Sequence, residues 1–394
     1  MGNNRIARGV YRVYFFHTAI TVCAAASIHW NFPGGRLERV EKLSDSHFRA
    51  HLAGEKDQDG RNRQANWYSF RIEGARGKVT VDLVNLPGEY NYKPNRGAVT
   101  KDTPAVYSND GVNWKHVEAF EYDAAEPRMR LIVDANGKPL WIAHTPPYTD
   151  RNLAALEKWA KTKPGFRVET IGKTVDGRPL RLWTIGDGPR VAWLMFRQHS
   201  WETGSSWVAQ GLVKELLADL PKQLTVKMFP LCDPDGVERG GVRFNKFGYD
   251  LNRNWDVNGV ERMPEITAQR AAIKRWLDSG KKIDLFYSLH NTETSEYLEG
   301  PPGGAYKELA ERFFHLLESE TSFAPTRKLF AAEASADKGR MNVIQGLYRD
   351  FKLPGFLMEQ RISHQPKYGR LPLIEDRLRF GRELAVTIAK LLTP

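Results

Sequence analysis

Hydrophobic and polar residues alternate along the first third of the chain. Between residues 28 and about 145, the runs WYSFRIEG, KVTVDLVNL, AVYSNDGVNW and RMRLIVDANGKPLWIAH show a period of two, which is typical of half-buried strands. Asn-Asp-Gly and Asn-Gly steps mark hairpin turns. No helical pattern separates the runs, so this part of the chain is predicted to form an antiparallel β-sandwich.

After the segment HTPPYTD at residues 144–150, the pattern changes to alternating helices and strands. Residues 151–162 carry apolar side chains at helical spacing, and the Asp-Gly step in TVDGRPL predicts a turn between two strands. An amphipathic helix is predicted near residues 376–392. This order predicts an α/β sheet with helices on its faces.

The chain has 394 residues, more than a single core usually holds, which favours two domains. We expect a β-sandwich domain over residues 27–145 and an α/β domain over residues 146–394. The formal net charge is +11, but Lys and Arg are scattered and no motif that reads DNA or RNA occurs, so we predict no nucleic-acid partner. The two cysteines form no CxxC pair, and we expect no cysteine metal site or disulfide framework.

Residues 1–26 have the three parts of a secretory signal: a basic start, a short apolar stretch and a small-residue end. The apolar stretch is too short to span a bilayer, so we expect no stable membrane insertion. This segment favours a secreted or periplasmic protein that begins near residue 27 or 28 after cleavage. His17 weakens the apolar stretch, and a cytoplasmic chain with a wrongly assigned start is the alternative. N-terminal sequencing of the protein from its native host separates the two.

Polar residues that bear chemistry follow four predicted strands. His199 and Glu202 come directly after the apolar run VAWLMF and before a predicted helix. LTVKMFPL ends in Cys-Asp-Pro-Asp-Gly, IDLFYSL ends in His290, and GFLM ends in Glu359. Because ligands bind at the carboxyl ends of strands in open α/β sheets, we expect these side chains to meet in one crevice.

Such a crevice would hold the groups of a catalytic zinc site. Two histidines and one carboxylate with an open fourth position are a known zinc ligand set. A further carboxylate beside the metal can take a proton from water. His290 alone would fit a structural role as well as a catalytic one, whereas Glu359 follows an apolar strand, where an unpaired carboxylate is costly.

The chain resembles the zinc carboxypeptidases related to carboxypeptidase A, and within them the cytosolic carboxypeptidase subgroup and its bacterial members. The resemblance lies in RQHSWETGSSW, YSLHN, FLMEQ and, most specifically, DPDGVERGGVRFNKFGYDLNRNWD. It covers nearly the whole chain, including AVYSNDGVNW and HTPPYT in the strand-rich part. It implies a carboxypeptidase-like α/β domain, with a mixed central sheet flanked by helices, preceded by an antiparallel β-sandwich.

The resemblance also implies a metal centre and its catalytic base. His199, Glu202 and His290 match the ligands of one zinc ion per chain. Glu359 matches the general base that activates the attacking water.

Three further positions match residues that act on the substrate. Arg243 matches the arginine that polarises the scissile carbonyl and stabilises the oxyanion, as a positive donor should. Asn252 and Arg253 match the pair that holds the terminal carboxylate, and a guanidinium suits bidentate carboxylate binding. The alternative for both arginines is a surface salt bridge.

The sequence departs from the family pattern at several positions. Cys232 stands where the subgroup usually has Asn, and Leu289 precedes His290 where an acidic residue is common, which leaves open what orients that ligand. Tyr348 cannot be assigned the role of the family's active-site tyrosine. Arg340 either favours acidic substrate residues or is a solvated loop residue.

Three functions are compatible with these residues. The first is a zinc metallocarboxypeptidase that hydrolyses C-terminal amino acids from peptides or proteins, with acidic residues as one preference. The second is a zinc amidohydrolase that acts on peptidoglycan peptides or acylated amino acids. The third is a non-catalytic peptide-binding protein, and retention of every family site residue named above argues against it. The expected partners are peptide or protein C-termini, and no pattern indicates an oligomeric state.

Overall fold

The computed structural model describes Met1 and residues 25–219, 221–257, 259, 261–333 and 336–393. Most of the expected signal segment, with Cys23, lies outside the described residues. Within the described part of the chain, no helix is both long and apolar enough to cross a membrane.

The strand-rich part of the described chain contains no helix before residue 150. Most of its strands are short, and in β13, one of the two longest, buried residues alternate with more exposed ones. They are β1 Ser27–His29, β2 Arg39–Ser44, β3 His47–His51, β4 Glu55–Lys56, β5 Arg63–Gln64, β6 Ser69–Glu73, β7 Arg76–Val84, β8 Gly88–Tyr90, β9 Lys93–Asn95, β10 Val106–Ser108, β11 Lys115–His116, β12 Phe120–Asp123, β13 Arg128–Asn136 and β14 Leu140–Ala143.

Two five-stranded sheets enclose the core of this part. Their orders are β1-β6-β14-β10-β11 and β12-β13-β7-β3-β2. Every pairing is antiparallel except β3 with β7, which run parallel. In β13, Met129, Leu131 and Val133 point into the core, where they join Phe70 and Ile142 of the facing sheet. The predicted strand-rich sandwich is therefore confirmed.

A third, four-stranded sheet of order β4-β5-β8-β9 extends from the sandwich. Its strands are only two or three residues long. It carries Glu55, which bonds the backbone of Arg243, and Arg63, which lines the same cavity as Arg243.

The α/β part alternates strands and helices, as the sequence predicted. Its elements are α1 Asp150–Ala160, β15 Phe166–Lys173, β16 Pro179–Ile185, β17 Arg190–Phe196, α2 Thr203–Ala218, β18 Leu224–Phe229, α3 Pro234–Glu238, α4 Pro264–Asp278, β19 Leu285–Thr292, β20 Tyr297–Gly300, α5 Lys307–Glu320, β21 Phe330–Ala331, α6 Val343–Phe351, β22 Gly355–Arg361 and α7 Ile374–Leu392. The predicted turn in TVDGRPL joins β15 to β16, with Gly177 at a φ of 84°.

These strands form one eight-stranded sheet of order β15-β16-β18-β17-β19-β22-β20-β21. The four central strands β18, β17, β19 and β22 run parallel, and antiparallel neighbours flank them. The mixed central sheet is thereby confirmed. Because the central strands are parallel, their carboxyl ends meet at one edge, where a crevice can form.

Helices α2 and α7 pack unusually closely against each other. A Cβ added to Gly211 would lie 2.1 Å from the carbonyl oxygen of Leu378, and one added to Gly381 would lie 2.1 Å from that of Val208. Only glycine allows this approach. Since α2 begins directly after Glu202, this packing fixes the helix that follows the predicted ligand loop.

Two predicted site residues lie differently along their strands than expected. His290 was expected just after its strand, and Glu359 likewise. In the structure β19 continues through His290 to Thr292, and β22 continues through Glu359 to Arg361. The two residues are register partners, so both side chains are held by sheet backbone rather than by a loop.

Candidate metal centre and active site

The loop after β17 is shaped by a buried arginine. Arg197 adopts a φ of 59°, in the left-handed region that L side chains rarely occupy. Its guanidinium donates to the Ser200 carbonyl from Nε at 2.9 Å and from Nη2 at 2.6 Å, and Nη1 donates to Ser206 Oγ at 3.0 Å. Burial lowers the pKa of Arg197 to about 9. These bonds hold the turn that presents His199 and Glu202.

His199, Glu202 and His290 come together as the sequence predicted. Glu202 Oε1 lies 2.6 Å from His199 Nδ1, and Glu202 Oε2 lies 3.0 Å from His290 Nδ1. Ligand atoms of all three residues lie within 4.8 Å of one another, and all three side chains are buried. Two imidazole nitrogens and a carboxylate around one point are a donor set that suits zinc.

The charges in this cluster are strongly coupled. Burial alone would raise the pKa of Glu202, but the two imidazoles lower it to about 2. Burial and Arg243 lower the pKa of His199, while Glu202 and Asp250 raise it above its ordinary value. For His290 the effect of burial prevails, and its pKa is lowered. A metal ion would displace protons from such a cluster, because it needs neutral imidazole.

The outer nitrogen of each histidine also has a partner. His199 Nε2 lies 3.0 Å from Asp250 Oδ1. His290 Nε2 lies 3.0 Å from Gln198 Oε1 and 3.1 Å from Ser288 Oγ. Acceptors at Nε2 favour the tautomer with a free Nδ1, which is the atom that faces Glu202.

Asp250 is the residue that sequence reasoning missed. It lies within the Asp-Leu-Asn-Arg-Asn-Trp motif, in which only the Asn-Arg step matched residues with an expected role. Besides His199, its carboxylate accepts a bond from Arg243 Nε at 2.7 Å and from the backbone N–H of Asn252 at 2.8 Å. The sequence did contain a signal for it, because Asp250 is an acidic residue within the most specific motif of the resemblance. Leu289 cannot orient His290 as an acidic residue would; Gln198 Oε1 and Ser288 Oγ bond the Nε2 of His290 instead.

Glu359 and Arg243 border one cavity of about 210 Å³ together with Glu202. Glu359 Oε2 is buried and has no hydrogen-bond partner among the described residues. Burial, followed by repulsion from Glu202, raises the pKa of Glu359 well above its usual value, although Arg243 opposes this. Burial would lower the pKa of Arg243, but Asp250 and Glu202 raise it, so Arg243 stays cationic.

Asn252 and Arg253 lie beside this cavity but do not line it. Asn252 is buried, and its Oδ1 accepts the backbone N–H of Val343 at 3.0 Å. Arg253 Nη1 donates to the Asn252 carbonyl at 2.8 Å. The positive charge of Arg253 acts on Asp250 and on Glu299 of β20. Asn252 and Arg253 thus lie close to the metal cluster, but the structure does not show what they bind.

Two tyrosines that had no predicted role, Tyr297 and Tyr90, lie near the candidate active site. Tyr348 lies in α6, and its ring contacts Lys352. Tyr297 of β20 is the register partner of Glu359, and burial, then the charge of Glu359, raises its pKa. Tyr90, from the strand-rich part, borders the cavity itself. The pattern of the sequence contained no signal for either Tyr297 or Tyr90.

Comparison with known families places these residues in context. The family described as zinc carboxypeptidase matches residues 153–308, and the cytosolic carboxypeptidase N-terminal domain matches residues 28–144. Together the two matches cover most of the chain.

The chain is similar to the zinc carboxypeptidases over residues 153–308.

The N-terminal match confirms the likeness to the cytosolic carboxypeptidases. Mouse cytosolic carboxypeptidase 6 is 26% identical over 293 residues, which cover 67% of this chain and 52% of the mouse protein. An uncharacterized protein of Zymomonas mobilis is 27% identical over 269 residues, 66% of each chain. The chain thus spans about half to two thirds of the length of these relatives.

A solved structure shares the fold of this chain over nearly its full length. The metallo-carboxypeptidase from Burkholderia cenocepacia superposes with a TM-score of 0.80 at 22% identity, over 93% of this chain and 99% of that chain. The predicted carboxypeptidase-like fold is thereby confirmed.

The metal cluster leads to a direct prediction. We expect about one zinc ion per purified chain, and the double substitution His199→Ala with His290→Ala should abolish binding, because two of the three donors are removed. Metal analysis by mass spectrometry measures the zinc content. His364→Ala, which removes an exposed histidine, is the matched control and should retain zinc. Unchanged zinc in the double variant would rule out this site.

Proposed function

We propose that the chain is a zinc-dependent carboxypeptidase that hydrolyses the C-terminal residue of peptides. The observation that carries this proposal is the convergence of a buried His-Glu-His cluster, Glu359 and Arg243 at one cavity. A zinc ion held by His199, Glu202 and His290 would supply a Lewis acid that polarises the substrate carbonyl and acidifies water. The similarity of residues 153–308 to the zinc carboxypeptidases supports the same activity.

In this proposal Glu359 handles the proton. Its unpartnered carboxylate oxygen borders the cavity, and its raised pKa suits a group that accepts a proton from attacking water and returns it to the departing amine. Arg243, held by Asp250 at 2.7 Å, would donate to the oxygen that becomes negative in the transition state. The low-dielectric surroundings strengthen both interactions.

Asn252 and Arg253 are proposed to hold the terminal carboxylate of the substrate. The support is that Arg253 lies in the same loop as Asp250, and that its guanidinium makes only one hydrogen bond among the described contacts, to its neighbour's carbonyl. Its remaining guanidinium donors suit a bidentate carboxylate.

A preference for acidic terminal residues is part of the proposal. Arg340, which is half-buried, has its pKa lowered first by burial and then by the nearby charges of Arg253 and Arg61. An anionic ligand beside Arg340 would relieve the repulsion that Arg253 and Arg61 exert on it.

The first test of the activity uses Glu359. Glu359→Gln should lower turnover at least about 10²-fold, because a general base is lost, while zinc content stays the same. Steady-state kinetics and metal analysis give the two readings. Glu169→Gln, in an exposed ion pair with Arg275, should leave turnover unchanged. Full activity of Glu359→Gln would exclude the proposed role.

A second test separates exopeptidase from other amide hydrolysis. Arg253→Ala should weaken use of free-acid peptides by about 2 to 5 kcal/mol and affect C-terminally amidated peptides much less, because only the former offer a carboxylate. Kinetics on matched peptides measure this, with Arg190→Ala, an exposed arginine at the opposite end of the strands, as the control. Equal cleavage of both peptides by the wild type, with no change of ratio in Arg253→Ala, would indicate an amidohydrolase instead.

The third test concerns the side chain of the released residue. Wild type should prefer peptides ending in Glu or Asp over those ending in Leu, and Arg340→Ala should reduce that preference about 10-fold, as expected for loss of one charge-assisted contact. Mass spectrometry of products from a peptide set measures it. If peptides ending in Leu are cleaved as fast as those ending in Glu or Asp, and Arg340→Ala does not change that ratio, the acidic preference is wrong. The proposed carboxypeptidase activity would not be affected by this result.

A further inference from the structure

The carboxylate of Glu55, in the small sheet of the strand-rich part, bonds the backbone of the loop that carries Arg243. Glu55 Oε2 accepts the N–H groups of Val242 at 3.0 Å, Arg243 at 2.6 Å and Phe244 at 2.9 Å. Glu55 Oε1 accepts Arg239 Nη2 at 3.2 Å. One acidic side chain therefore satisfies four donors of a segment nearly 190 positions away in the chain.

This arrangement is a strong local constraint. Three consecutive N–H groups that converge on one anionic oxygen form a nest, and bonds to a charged acceptor are stronger than neutral ones. The Glu55 side chain is only 11% exposed, so water competes weakly for these donors. Without the carboxylate the loop would lose its main acceptor, and the donors would be left unsatisfied or the loop would move.

The same loop also contacts the metal-ligand loop. The carbonyl of Val242 accepts the N–H of Trp201 at 3.0 Å and Ser200 Oγ at 3.3 Å. Arg243 is thus fixed at both ends: Glu55 holds its backbone and Asp250 holds its guanidinium. A displacement of the loop would move the guanidinium relative to the cavity.

The small sheet that contains Glu55 contributes the cavity wall as well. Glu55 is the register partner of Gln64, and β5 pairs in turn with β8. Arg63, Gln64 and Tyr90 of this sheet line the cavity with Arg243 and Glu359. A second anchor joins the sheet to the loop, since the N–H of Gln58 donates to the Gly248 carbonyl at 3.1 Å.

We propose that Glu55 is a positioning residue for Arg243, so that the small sheet of the strand-rich part completes the active site. The inference rests on the proposed carboxypeptidase function, in which Arg243 stabilises the transition state. Glu55 touches no reacting atom and acts only through the backbone of residues 242–244.

The kinetic test compares Glu55→Ala, Glu55→Gln, Arg243→Ala and the double variant Glu55→Ala with Arg243→Ala. Glu55→Ala should lower kcat about 10²-fold, as misplacement by about 1 Å does, with little change in KM or zinc content. Glu55→Gln should recover part of kcat, because its amide oxygen still accepts backbone N–H groups. The double variant should be no slower than Arg243→Ala alone, whereas multiplying effects would overturn the proposal.

His116→Ala is the control for this series. It removes a different bond between the strand-rich and α/β parts, from His116 Nε2 to the Pro372 carbonyl at 3.2 Å. It should leave kcat unchanged. A loss of kcat in His116→Ala equal to that in Glu55→Ala would mean that any weakening of the contact between the two parts suffices, and would also overturn the proposal.

A second measurement does not depend on peptidase activity. Hydrogen–deuterium exchange should show protected amides at residues 242–244 in the wild type and exchange at least about 10-fold faster in Glu55→Ala, with no change in His116→Ala. Unaltered exchange in Glu55→Ala would overturn the proposal by itself. If the wild type cleaves no peptide, the proposed function fails, and the exchange result still decides whether Glu55 holds the loop.

Discussion

Negative charge buried in one crevice is the constraint on which the surrounding structure depends. Burying a carboxylate is strongly unfavourable unless it is paired. Glu202 is compensated by two imidazoles, and Asp250 by His199 and Arg243. Glu359 adds a further carboxylate, one oxygen of which has no partner among the described residues. The cluster therefore gathers three carboxyl groups around two imidazoles and one guanidinium, and a divalent cation bound there would favour the ionised form of each carboxyl group.

How much of this site could be predicted depended on where each residue falls along the chain. His199, Glu202, His290 and Glu359 were predictable because each follows an apolar run, and the carboxyl ends of parallel strands share one edge. That His290 and Glu359 lie inside their strands could not be predicted, because a strand end is set by pairing with neighbours rather than by local pattern.

The residues that were missed act through long-range partners. Glu55 lies in a two-residue strand with no hydrophobic pattern, and its role exists only because three amides of a distant loop converge on it. Tyr90 and Tyr297 reach the site through sheet pairing. The division at residues 145 and 146, the roles of Glu359, Arg243, Asn252 and Arg253, and export remain predictions. The strand-rich sandwich and the mixed sheet were predictable because period and turn chemistry are local properties.

The spread of the site along the chain has a consequence for biosynthesis. Groups at the crevice come from Glu55, the loop at 199–202, the loop at 242–253, His290 and finally Glu359, which lies in the strand before the last helix. Domains fold as their residues leave the ribosome, and a central strand cannot pair before it has been made. Glu359 is thus the last of these groups to leave the ribosome. A nascent chain would therefore hold an incomplete crevice until β22 has been made and has paired with β19.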